Sequence, residues 1–340
     1  MSGLPAYRSI VGRRLGLTPE GLQVDGLLIN GKNHGGRMIY CDPGNGTAGR
    51  DMYTPLTATD DIEEAYAAAT ANQNDVVVLI GTTNASTPTT ARVSEGGLAW
   101  AKDNVHLIGV CSGNHMQQRA RISHASSGDT ASTFVLNVTA DNCMFANFST
   151  FLGHGGTVTT PTSIKVTGGT RNAFYNVSMS GIGNDANDVA DASSLWLSAA
   201  GENYFEKCSI GLTTTARGTA DCQEIWMSSG CARNYFRDCY IHGWASASTY
   251  SFVEVEASGV QDVTVFDNCA FVNAGVWLGP GATIDEAFGI NDTNNGGFLL
   301  HNCSVLGATA WEATSGATNR VYTNLPAANA AGGEAVIAKS

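Results

Sequence analysis

Phe236-Arg237-Asp238-Cys239-Tyr240-Ile241 has apolar first, fourth and sixth residues and a turn-type third, and the same frame returns along the 340-residue chain. Upstream it is Phe205-Glu206-Lys207-Cys208-Ser209-Ile210; downstream it is Phe266-Asp267-Asn268-Cys269-Ala270-Phe271 and Leu300-His301-Asn302-Cys303-Ser304-Val305. Phe145 to Thr150 and Phe174 to Met179 fit it, and Leu107-Ile108-Gly109-Val110 fits its first four places. First positions fall at 107, 145, 174, 205, 236, 266 and 300, at intervals of 38, 29, 31, 31, 30 and 34 residues. Such a period marks a solenoid, in which each turn buries its apolar face only by stacking on the next.

The third residue is Gly109, Asn147, Asn176, Lys207, Asp238, Asn268 or Asn302. Gly, Asn and Asp tolerate a left-handed backbone, so the frame predicts a turn there between two short strands, with Lys207 the misfit. Stacked copies align Cys208, Cys239, Cys269 and Cys303 in an inward ladder of small buried hydrophobes, spaced at roughly the ~4.8 Å strand separation and too far apart for a relaxed disulfide. A further strand precedes each copy: Phe134-Val135-Leu136, Ile164-Lys165-Val166, Leu195-Trp196-Leu197, Ile225-Trp226-Met227 and Val253-Glu254-Val255. Outer members point in and middle members out. Seven such coils make a shaft about 34 Å long.

Composition narrows the function classes. The chain carries 18 basic and 30 acidic side chains, a net charge of -12, which argues against nucleic acid as main partner. Its apolar runs, such as Val76 to Ile80, are far short of the roughly 18 residues of a membrane span, and no apolar signal segment opens it, so a soluble, non-secreted protein is expected. Nine cysteines without a CxxC pair read as reduced thiols, with no metal site or cofactor. Residues 1–50 hold six basic side chains against three acidic, leaving -15 for the rest. That stretch reads either as a solvated arm or as a docking arm for an acidic protein surface.

The repeat, with its Asn-type turn, resembles the pectate-lyase-like right-handed parallel β-helix superfamily over residues 76–305. The lead-in Tyr40-Cys41-Asp42-Pro43-Gly44-Asn45-Gly46, a helical pattern from Thr59 to Ala69, and Asn74 to Gly81 look like the capping helix and first coil of phage and bacterial members. Thr59 is the expected cap, Asp60 and Asp61 suit the positive helix end, and Ile62, Ala65, Tyr66 and Ala69 form the stripe that closes the solenoid. The expected class is all-β: a single-stranded right-handed parallel β-helix with a capping helix and a short N-terminal arm. The expected units are arm 1–37, capping region 38–81, solenoid 82–305 and a C-terminal cap or tail 306–340.

Gly153-His154-Gly155-Gly156 is similar to a Gly-His-Gly of polygalacturonase-like glycosidases, but the accompanying carboxylates are missing: Asp129 and Asp141 stand alone. Glycosidic cleavage needs two carboxylates ~5 to 10 Å apart, so His154 reads as a turn residue and no catalytic residue is assigned. Asp185, Asp188 and Asp191 read first as a solvated loop and second as a weak calcium site. Lys165, Trp196, Trp226 and Glu254 should form one outward column, either a subunit interface or a sugar-facing strip.

Among phage β-helix proteins the chain looks like trimeric capsid cement or decoration proteins. That resemblance implies a non-enzymatic virion protein on the capsid exterior, made in the host cytoplasm, a homotrimer bound to the major capsid protein through an arm carrying Arg8, Arg13, Arg14, Lys32 and Arg37. The alternative is a tailspike-like polysaccharide depolymerase, with a surface polysaccharide as partner.

Overall fold

The computed structural model describes residues 15–18, 21–24, 27–29, 36–81, 90–94, 96–110, 120–124, 133–153, 155, 158–219, 222–290, 295–312 and 320–323. Arg8, Arg13, Arg14, Lys32, Asp129 and His154 lie outside them, as do residues 313–319 and 324–340. The solenoid is a right-handed parallel β-helix of three parallel sheets with eight, ten and eight strands, here called first, second and third. One turn shows the winding: Ser193–Ser198 in the first sheet, Tyr204–Glu206 in the second, Ser209–Gly211 in the third, then a loop to Gln223–Ser229, which pairs with Ser193–Ser198.

The turn between the second and third sheets is set by its third residue. Asn147, Asn176, Asp238, Asn268 and Asn302 all have φ between 51° and 59°, and so does Lys207 at 53°. Stacked amides reward the turn, with Asn176 Nδ2 donating to Asn147 Oδ1 (3.0 Å) and Asn268 Nδ2 to Asp238 Oδ1 (2.6 Å). Gly109 behaves differently: it lies within the strand His106–Val110, which runs straight through it.

Inside, the first-position phenylalanines form one stack. Phe145, Phe174, Phe205, Phe236 and Phe266 have successive ring centroids 4.7, 4.8, 4.5 and 4.5 Å apart, close to the strand spacing that carries them. Cys208, Cys239, Cys269 and Cys303 are buried free thiols, each donating to a phenylalanine carbonyl one turn back. On the far side, Asn172, Asn203 and Asn234 form a second buried ladder. Asn203 Oδ1 accepts from Asn172 N (2.9 Å), Asn234 Oδ1 accepts from Asn203 N (3.1 Å), and each side-chain amide donates to a carbonyl of the preceding turn. At these three corners the asparagines satisfy backbone groups of the turns on either side, as a dry stack requires.

The cap differs in detail from expectation. The helix is Ile62–Ala68, and its N-cap is Asp61, whose carboxylate accepts from the amides of Glu63 and Glu64. Thr59 instead bridges to Cys41 and donates its hydroxyl to Glu64, because its backbone is already spent on the sheet. Tyr66 stacks on Trp100 (4.3 Å), which meets Phe145 edge-on, so the helix seals the aromatic column.

Two more boundaries differ. Leu136 pairs with Ile164, so the first triplet in register is Leu136-Asn137-Val138; the longer apolar run hid a two-residue offset. The solenoid continues beyond Val305 through Ala308–Glu312 and Val321–Thr323. Ahead of the cap, Leu15–Thr18, Gly21–Val24 and Leu27–Ile29 form a three-stranded antiparallel sheet separate from the three solenoid sheets.

Candidate functional site

The register assembles the predicted outward column: Lys165 pairs with Trp196, Trp196 with Trp226 and Trp226 with Glu254. Trp196 and Trp226 stack at 4.3 Å, and Lys165 Nζ lies 3.4 Å from the centre of the Trp196 ring. Burial holds the Lys165 ammonium below its ordinary pKa. Trp226 is only 6% exposed. The opposed Trp196 and Trp226 faces are therefore occupied by each other, and Lys165 covers Trp196 from the other side. A sugar ring needs a free aromatic face, so this column is packed more like a seam than a stacking platform. At its end Glu254 occupies the space of an absent side chain, since a Cβ on Gly289 would stand 2.0 Å from its Oε2.

Beside the column lies a buried polar network that the sequence did not announce. Glu224, fully buried, accepts from Arg217, Ser194 Oγ and Tyr250 OH. Gly243 makes this possible, because a Cβ there would sit 2.2 Å from the Tyr250 hydroxyl. Burial raises the Glu224 carboxyl, opposed by Arg217 and by the donated hydrogen bonds. Ser194 belongs to the neighbouring strand Ser193–Ser198 while Arg217 and Tyr250 come from loops, so the network ties those two loops to the shaft. Asp188 does similar work, accepting from the amides of Gly218 and Thr219 one turn on. Asp185 opens a 3-10 turn, and no cluster of three metal-binding side chains occurs among the described residues.

The second sheet carries the other outward face, on positions the sequence analysis passed over. One column reads Tyr175, Glu206, Arg237, Asp267 and His301, and its neighbour reads Ala173, Tyr204, Tyr235, Val265 and Leu299. Tyr204 donates to Glu206, which is 5% exposed; Tyr235 donates to Asp267 Oδ2 (3.0 Å), whose other oxygen lies 2.7 Å from His301 Nδ1. The His301 contact holds the Asp267 carboxyl below its usual range. Glu206 and Asp267 stand two rungs, roughly 10 Å, apart with Arg237 between them. Each carboxylate is already engaged by its neighbours. The signal was the second place of the six-residue frame, which repeats in position but not in residue type.

Arg37, assigned to the arm by sequence, belongs to the cap. Its guanidinium donates to Asp75 Oδ2 (2.9 Å), Ala68 O, Thr70 Oγ1 and Tyr53 OH, and its amide to Asp75 Oδ1.

No protein-family profile and no curated protein matches the chain. Among solved structures, a rhamnogalacturonan lyase superposes with a TM-score of 0.54 at 13% identity, over 79% of this chain and 68% of its own. A pectate lyase, Pel9A, gives 0.46 at 12% identity, over 84% and 74%. Tailspike protein 2 from Escherichia coli O157:H7 bacteriophage CAB120 gives 0.41 at 8% identity, over 84% and 42%. At these identities the likeness is one of fold: the chain is a right-handed parallel β-helix, the fold it shares with the rhamnogalacturonan lyase. Among the described residues no helix is long and apolar enough to cross a membrane.

Proposed function

We propose that the protein is a structural virion component, a cement or decoration protein that attaches to the major capsid protein of a phage shell through its N-terminal segment and projects its solenoid outward. The observation that carries this reading is the separate N-terminal sheet. Among the described residues the strands Leu15–Thr18, Gly21–Val24 and Leu27–Ile29 form a sheet separate from the three of the solenoid, in the stretch that holds Arg8, Arg13, Arg14 and Lys32, while the acidic remainder carries the shaft. A basic module joined to an acidic rod suits an acidic docking surface, since arginine forks pair bidentately with carboxylates.

Removing residues 1–35 tests it. The cut must spare Gly36 and Arg37, because Arg37 is part of the cap. The truncated chain should keep the solenoid's β-sheet dichroism, losing only the share of the removed N-terminal sheet, and lose attachment to purified shells. Reversing charge at Arg13 and Arg14 should weaken attachment and lessen its salt dependence. Full shell occupancy by the truncated chain ends the proposal. The second reading, a polysaccharide depolymerase, keeps support from the outward aromatic and ionisable residues of the second sheet; release of reducing or unsaturated sugar ends from host polysaccharide by the intact protein would favour it.

A further inference from the structure

The outward face of the second sheet is striped by charge, rung by rung. Arg171 opens the series; the next rung carries Glu202 and Glu206, the next Arg233 and Arg237, the next Asp262 and Asp267, and the last His301. From Arg171 to Asp267 each rung thus has one sign on this face, opposite to its neighbours. Only the corner residues Lys207 and Asp238 depart from their own rungs. Between the charged columns runs an apolar stripe of Tyr204, Tyr235, Val265, Leu299 and Tyr322, with Leu299 44% and Tyr322 61% exposed. An exposed apolar stripe flanked by ordered charge marks a docking surface.

The stripes restrict what can dock. A second copy laid face to face in parallel and in register would set Arg233 and Arg237 against the same pair, and Asp262 and Asp267 likewise. Sliding it by one rung repairs the signs, but the resulting contact is heterologous and grows into an open polymer. A two-fold axis along the strand direction, passing between the Arg237 and Asp267 rungs, does better. It opposes Arg237 to Asp267, Arg233 to Asp262 and Glu206 to His301, while placing Tyr235 on Val265, Tyr204 on Leu299 and the small Ala173 on Tyr322. Lys207 then meets Asn302 and Asp238 meets Asn268, while Arg171 and Arg320, at the two ends of the face, are a like-charged pair that this register opposes. The Arg237 side chain is 52% exposed and its two nearest carboxylates are 3.9 Å away, so it has capacity for a further partner.

We propose that this face binds a second copy of the same chain, antiparallel, in a closed two-fold pair. The inference is independent of shell attachment, and it departs from the three-fold assembly implied by family resemblance.

The test is sedimentation of the full chain at micromolar concentration together with two single charge reversals and their combination. The wild type should be a dimer whose association constant falls by at least about tenfold in about 0.5 M NaCl. Arg237→Asp and Asp267→Arg should each weaken the dimer by a similar factor while far-UV dichroism is unchanged. The axis pairs position 237 with position 267 of the other copy, so the double variant R237D/D267R should dimerise again. A monomeric or trimeric wild type, a dimer indifferent to both single reversals, or a double variant that stays monomeric would each overturn the proposal.

Discussion

Lys207 holds a left-handed backbone where its counterparts on other turns are mostly asparagine, and its side chain gains nothing that would favour that conformation. The cost of such a position for an ordinary residue is about 1 kcal/mol, which glycine escapes. Lys207→Gly should therefore leave stability unchanged or raise it by up to about 1 kcal/mol, the extra freedom of the unfolded glycine offsetting part of the gain; urea unfolding measures the difference. His106 makes the opposite kind of residue-scale statement. It is buried on the outward side of its strand, its Nδ1 accepts from Met144 N (3.0 Å), and burial pulls its pKa down to about 4. Its folded pKa is depressed, so its contribution is fully present above the unfolded value near 6.5 and is lost as pH falls toward 4. The loss reaches at most about 3 kcal/mol. His106→Gln, which retains an acceptor, should flatten the stability profile between pH 6.5 and 4; an unchanged slope would show that His106 does not cause it. The left-handed residues were legible because one position is Asn or Asp in five of six turns. His106 was not, because its place, just before the first position of the frame, keeps no one residue type from turn to turn.

At the scale of elements, the cap helix is held more tightly than its seven residues would suggest. Isolated helices of that length do not form, so tertiary partners must supply the difference. Lys102 Nζ donates to the carbonyls of Tyr66, Ala67 and Ala69, closing the C-terminal end, while Tyr66 OH accepts from the amides of Ala101 and Lys102. Lys102→Met should cost about 2 kcal/mol, the scale of lost charge-assisted hydrogen bonds, and should show first as faster hydrogen exchange in residues 62–68. Loss confined to other elements would contradict this role. The helix stripe of Ile62, Ala65 and Tyr66 could be read from spacing alone. Its caps could not, since Asp60 and Asp61 compete with Thr59 locally and only the pairing of Thr59 with Cys41 decides between them. The same limit applies to Glu224, whose partners Arg217 and Tyr250 come from loops and Ser194 from the neighbouring strand, at positions that share no residue pattern.

For the whole molecule, the legible part was the inward half of each turn. Phe, Cys and Asn recur there because a stacked core accepts one shape at one place, turn after turn. The outward half records what each face meets, and its order appears only after the rungs are aligned: the Glu, Arg, Asp sequence of the second sheet looks unpatterned along the chain. The aligned core has a direct readout. Cys208, Cys239, Cys269 and Cys303 are buried, and burial pushes the Cys239 and Cys269 thiols well above the usual range. All four should resist thiol labelling in native buffer and react after denaturation; prompt native labelling of all four would mean a different register.

The near-constant spacing of Asn172, Asn203 and Asn234, 31 residues at each step, makes the rod modular in length. Duplicating residues 202–232 would splice in one complete turn, with its own asparagine, phenylalanine and cysteine, and lengthen the shaft by about 4.8 Å. The interior would accept the insert, but the surface would count it: one added turn places two acidic rungs side by side, whereas a two-turn duplication restores the alternation. Growth of such a rod by tandem duplication is therefore free in its core and restricted to even steps on its striped face.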